Sequence, residues 1–282
     1  MESTGPMDLL HRLHDLLTPP PVSPLFRVGG PLSSLNEDAT LFALVFFYLL
    51  CVDFLVLPLL LRNPAKSRWF ALHTAGNLIV TIFTFPDVVR SFLAPVDNLV
   101  GPCGSMIPLA AIAAIHIYHV ALFKLTADDI FHHALFVGIL VPLGVVFKND
   151  GGASLNMGSF FLCGLPGGLN YAALVLNKEG AITNLDQKRF DAAINTWMRS
   201  PGLTIFAFMQ WQIWLEGVRP SRGWPQALIS LATAGVAGLH FYNGCYYAEQ
   251  SVGNFHGHLK AAQLQAGGED GGAPPAKGKK TM

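Results

Sequence analysis

Apolar residues along this chain fall in long blocks separated by short polar connections, rather than at the spaced positions of a soluble core. Blocks of that length predict helices that cross a bilayer. Taken in order they cover 39–61, 69–86, 106–125, 130–147, 155–176, 202–216 and 225–247. The expected fold class is all-α, a multi-pass transmembrane helical bundle of about seven spans. Asp53 and Pro58 interrupt the first span, and Pro86-Asp87 ends the second. In the fifth, Pro166 with Gly164, Gly167 and Gly168 predicts a kink or an unwound segment. In the seventh, Ser230, Ala234 and Gly238 recur every fourth residue, a face that permits close helix approach.

The flanks read differently. Residues 1–36 form an amino-terminal tail, in which MDLLHRLHDLL (7–17) has leucines at helical spacing and precedes the breaker TPPPVSP. A short interfacial helix and an irregular tail both fit it. The transmembrane domain occupies 37–250. Residues 177–200 are the longest polar connection, with an amphipathic surface helix expected around 186–198. From 251 to 282, Gly, Ala, Pro and Lys predict a disordered basic tail. The first long apolar run starts near Leu41, too far in and too long for a cleaved signal, so it is expected to act as a signal anchor.

Composition agrees with a lipid setting. Of 282 residues 51% are hydrophobic and 13% charged, and mean hydropathy is +0.42. The formal charge of zero supplies no basic surface for nucleic acid. Four scattered cysteines show no metal spacing and read as small hydrophobes. No cofactor is expected. Of the 18 Lys and Arg, seven spans leave six on the amino-terminal side and twelve on the other, which predicts a cytosolic carboxyl terminus. The chain ends Lys279-Lys280-Thr281-Met282. That ending resembles the dilysine signal read by retrieval machinery on the cytosolic side, and it implies an endoplasmic-reticulum membrane location.

Ionisable groups inside apolar spans mark function or internal pairing. Asp53 must face protein or water. His73 and Asn77, four apart, share a helix face. His116 and His119 lie on the third span, His132 and His133 on the fourth, and a tight turn makes the two spans antiparallel neighbours. The four imidazoles can approach one polar layer. Adjacent helical residues diverge by about 100°, so His132 and His133 cannot both address one atom; one is the chemical group and the other a brace. Thr126 and Asp129 fit a helix cap. Three readings of the histidines stay open: interhelical hydrogen bonds, metal ligation, and a general base acting on a lipid nucleophile. Spacing makes metal the weakest, since the apolar spans hold only one His-x-x-His and a separate His-His.

Three stretches carry a family resemblance: RWFALHTAGN (68–77), HIYHVALFKLTADDIFHHALF (116–136) and GLHFYNGCYYAEQ (238–250). Their order and spacing resemble the TLC family, named for the TRAM, LAG and CLN lipid proteins and including the ceramide synthases. The likeness covers about residues 65–250. It implies a role in membrane-lipid metabolism or homeostasis with membrane lipid as partner. If the chemistry is ceramide synthesis, acyl-CoA joins as co-substrate and His132 or His133 deprotonates a sphingoid amine. His73, Asn77, His116, His119 and His240 then line the substrate cavity. Where ceramide synthases carry an acidic motif after the pair, FFLCGLPGGLNYAAL (160–174) has no aspartate, and His119 fills a position often acidic in the family. Whether the chain is an enzyme stays open; as a non-enzyme it would sense, move or traffic lipid.

Overall fold

The computed structural model of the chain describes residues 35–95, 104–125, 130, 133–146, 148, 152–215 and 226–268. Every regular element among them is a helix. Helix α1 spans Leu35–Cys51 and continues through a π-helical turn, Val52–Val56, to Leu57–Leu60. Helix α2 is Pro64–Leu93 and α3 is Ile107–Leu122. Helix α4, His133–Val146, contains a π turn at Phe136–Leu140. Helix α5 starts at Gly152–Ser159, passes a π turn at Phe160–Gly164 and ends in Leu165–Lys178. Helix α6, Asn184–Ile194, runs through a fourth π turn, Asn195–Arg199, directly into α7, Ser200–Leu215. Helix α8 is Gln226–Gly268.

All four π turns end two residues before a proline: Pro58, Pro142, Pro166 and Pro201. Proline lacks an N–H, and its ring collides with the carbonyl four residues back. In three of the turns the residue just before proline donates five residues back instead of four: Leu57 to Val52, Leu165 to Phe160 and Ser200 to Asn195. The widened turn moves the carbonyl aside and carries the helix past the ring. Pro86 is accommodated without one, inside α2, so the break expected at Pro86-Asp87 does not occur.

Helix α2 is the central element. It packs on α3 along one face and on α5 along another, while α1 closes over α3. Leu49, Leu72, Val80, Ala114 and Tyr118 fill the α1–α2–α3 core. Val88, Met157, Phe160, Phe206 and Ile213 fill a second core between α2, α5 and α7. Helix α8 packs on α7 and on α6.

The burial pattern is inverted relative to a soluble protein. Phe47, Leu55, Leu59 and Leu60 are 64–84% exposed, while Asp53, Asn77, Asp87 and Arg199 are buried. A lipid surround favours that arrangement, because hydrocarbon solvates leucine but not a carboxylate.

Among the described residues three helices are long and apolar enough to cross a membrane: Glu37–Leu60, Pro64–Leu93 and Ala153–Lys178. These are fewer than the seven spans the hydropathy blocks predict. Helix α3, with 16 residues, is apolar but short; about 1.5 Å per residue leaves it below a bilayer core of about 30 Å. Helix α4 is shorter still, whereas α7, continuous with α6, and α8 have the length but are diluted by polar positions.

Helix α8 also departs from expectation at both faces and end. Its buried stripe is Ile229, Thr233, Ala237 and His240, while nothing lies within 4 Å of a Cβ built on Gly238. The close approach falls at Gly244, whose Cβ would sit 3.2 Å from the Ser200 Cα. The helix continues past Ser251 to Gly268. Arg189 of α6 stacks over Phe255 and Asn184 bonds His258, so this extension is packed. The amphipathic stretch 7–17, the Thr126–Asp129 cap, His132, Lys279 and Lys280 lie outside the described residues.

Candidate functional site

Trp69 pairs with His119, Gly76 with Ile115 and Asp87 with Gly104, so α2 and α3 run antiparallel. The start of α2 and the end of α3 therefore share one end of the bundle, and the buried His73, His116 and His119 collect there. Helix α4 brings His133 to the same place. His119 Nδ1 and His133 Nε2 lie 3.1 Å apart, and the His116 ring is 5.1 Å from that of His133. On the other side the Trp69 indole stacks on His119 at 3.6 Å and meets the His73 ring edge-on at 3.7 Å. Tyr171 of α5 follows, 4.2 Å from His73. The result is a row of rings: His116, His133, His119, Trp69, His73, Tyr171.

Two constraints set the protons. His116 Nδ1 donates to Ile112 O at 2.7 Å, and His73 Nδ1 donates to Trp69 O at 3.3 Å. Each leaves Nε2 as the lone-pair nitrogen of the neutral ring. A hydrogen bond between two imidazoles needs one ring to accept, so His119 and His133 cannot both be doubly protonated. The pair can hold one proton between two bases in a buried setting. Among the described residues no three His, Cys, Asp or Glu side chains converge as metal ligands.

The polar end is braced by a network that spacing alone did not bring together. Asp53, carried in the first π turn, is 2% exposed and takes a forked contact from Arg68. Tyr118 Oη donates to the same carboxylate at 2.5 Å. Asp53 therefore does face protein, as a carboxylate at that depth requires. Glu179, just beyond α5, accepts from Ser67 Oγ at 2.5 Å and from the Arg62 and Asn63 amides. The Ser67 hydroxyl and those amides hold its carboxyl below the ordinary range. At the opposite end, Asn156 Nδ2 and the Gly104 amide donate to Asp87, with Arg90 at 3.5 Å. Lys148 pairs with Asp38 there.

Asn77 shares its face with His73, as expected, but reaches a different neighbourhood. A Cβ on Gly167 would lie 2.9 Å from Asn77 Nδ2 and 3.6 Å from Arg199 Nη2. Arg199 was countable only as a loop charge in the sequence; the continuous α6–α7 helix carries it inside, where it is 8% exposed. Its Nη1 donates to Asn195 Oδ1 at 2.7 Å, and its guanidinium stands 5.4 Å over the Tyr247 ring. Asn195 Nδ2 in turn donates to Asp191 Oδ1 at 2.9 Å. Burial pushes the Asp191 carboxyl up, against the pull of Arg199 and Lys188.

His240 does not join the other histidines. It lies in a chamber of about 110 Å³ between α4, α5, α7 and α8, lined by Leu140, Leu143, Ser154, Leu155, Gly158, Phe206, Ile229, Ala232 and Val236 among others. Its Nδ1 donates to Val236 O at 2.7 Å, which turns Nε2 toward Gly158 and Phe206. None of His73, His116, His119 and His133 lines this space. The sequence reading placed all of these in one cavity; the structure separates a row of packed rings from an apolar chamber with one imidazole.

Comparison of the chain with protein-family models, with curated proteins and with solved structures finds no match.

Proposed function

We propose that this chain is a multi-pass endoplasmic-reticulum membrane protein of TLC type that binds membrane lipid by seating part of an acyl chain in the chamber between α4, α5, α7 and α8. The observation that carries the reading is the chamber itself: a mostly apolar lining, with His240, Gln210 and Thr233 among its few polar groups. Ligand sites commonly combine mostly apolar walls with a few placed polar atoms. Helices α3, α4, α7 and α8 complete the seven spans by inserting beside the three long apolar ones. The test is to purify the full chain in detergent and extract its lipid for mass spectrometry. Wild type retains a defined lipid; Ala232→Phe, which fills the chamber, loses it. Equal lipid content in the two proteins would remove this reading.

A second reading, acyl transfer, draws on the His119–His133 contact. In ceramide synthesis by analogy, a base needs an oriented partner, and His119 would supply to His133 the brace that an acidic residue supplies elsewhere. Microsomes given acyl-CoA and sphingoid base would form amide, and His119→Ala or the pair His132→Ala with His133→Ala would abolish it. No turnover in wild type leaves lipid binding as the function.

A further inference from the structure

His240 lines a cavity instead of packing in the row of rings, and it leaves one hydrogen-bonding atom unused there. Nδ1 donates to Val236 O at 2.7 Å, so the neutral ring keeps its lone pair on Nε2. Among the described residues no group bonds Nε2, although the residue is only 7% exposed. A buried polar atom of that kind is costly until a partner reaches it. Among the described residues no Asp, Glu, Lys or Arg lines the chamber, so nothing there would balance an imidazolium. Gly158 keeps the lone pair open to the cavity, since a Cβ on it would stand 3.1 Å from Nε2. Ser159, the next lining residue, repeats the polarity. Its Oγ donates to Leu155 O at 2.9 Å, which leaves that oxygen only lone pairs to offer. This end of the chamber therefore presents two acceptors and lacks a donor for them.

We propose that the lipid chain seated in the chamber carries an aliphatic hydroxyl, which donates its hydrogen to His240 Nε2. A hydroxyl is the smallest donor that an apolar chain bears, which suits a space of about 110 Å³. An amide N–H would bring its carbonyl against the same two acceptors. An ionised head would bring a charge that no cation in the lining meets. The hydroxyl stands either within an acyl chain or at the end of a fatty alcohol, and its bond to Nε2 is the same in both. The inference rests on the lipid-binding reading above and names the group that the seated part of the lipid carries.

The experiment measures binding of four probes to the full chain in detergent by native mass spectrometry: methyl stearate, methyl 12-hydroxystearate, methyl 12-oxostearate and stearyl alcohol. The ketone matches the hydroxy ester in size and in the place of its oxygen, but it cannot donate. Expected is about tenfold tighter binding of a hydroxyl probe than of methyl stearate or the ketone, the margin of one hydrogen bond. Tighter binding of the hydroxy ester assigns a hydroxyl within the chain, and of stearyl alcohol one at its end. His240→Phe keeps a ring without the lone pair and brings the preferred probe down to methyl stearate. Gly158→Ala keeps His240 but covers Nε2, with the same result. Wild type without hydroxyl preference, or a ketone bound as tightly as the alcohol, overturns the proposal, and this comparison decides even if neither variant folds. A preference kept in His240→Phe and lost in Thr233→Val also overturns it, by moving the hydroxyl seven residues along α8. In each of these cases methyl stearate still bound to wild type and lost in Ala232→Phe leaves the acyl-chain reading standing; no probe bound at all removes both.

Discussion

At the scale of single residues, this chain places its polar groups by pairing them across helices. Asp53 is held by Arg68, 15 positions away, and by Tyr118, 65 positions away. A hydrogen bond to a charged group contributes about 1.5–3 kcal/mol. Tyr118→Phe keeps the ring that packs on Phe46 and Phe123, so it should destabilise by about that amount. Thermal unfolding in detergent checks this; a variant melting with wild type would mean that the hydroxyl adds nothing. The local part of this chemistry is readable in advance. His73, His116 and His240 each bond the carbonyl four residues back, which the backward tilt of helical side chains permits. The partners of Asp53 and the burial of Arg199 are not, because both depend on which helix faces which.

Among the elements, proline is the organising residue. The four π turns are the way α1, α4, α5 and the α6–α7 helix pass prolines without breaking, and each adds a residue to its turn, so side chains on the two sides lose their simple helical phase. That shift is why the kink expected around Pro166 appears as a widened helix, and why the surface helix at 186–198 runs on into α7 instead of stopping. Glycine is used for approach at other places than its spacing suggests. A Cβ on Gly202 would overlap the Phe161 ring beside the α5 π turn, whereas one on Gly238 meets nothing. Gly202→Ala should therefore cost about 1–3 kcal/mol through overpacking. Gly238→Ala should be neutral or stabilise by about 0.5–1 kcal/mol, the helical preference for alanine. Melting temperatures of the two variants test the contrast; a destabilised Gly238→Ala with a neutral Gly202→Ala would contradict this packing.

Over the whole molecule, the Lys and Arg count carries the proposed orientation. Under the proposed seven spans, a glycosylation acceptor appended after Met282 stays unmodified, and under the proposed dilysine retrieval Lys279→Ser with Lys280→Ser moves the protein out of the endoplasmic reticulum. A glycosylated tag would reverse the topology. Hydropathy alone determined that the chain is helical, where its apolar blocks lie, and that Asp53, His73, Asn77 and the histidines of α3 needed internal partners, because desolvating a polar group is costly wherever the chain goes. Only the tertiary structure decided which groups meet. It joined His119 to His133, set His240 apart in its own chamber, and carried Arg199 from a polar connection to the middle of the bundle. Contacts between distant segments depend on helix phase and packing, and each π turn resets that phase by a residue that no periodic reading of the sequence counts.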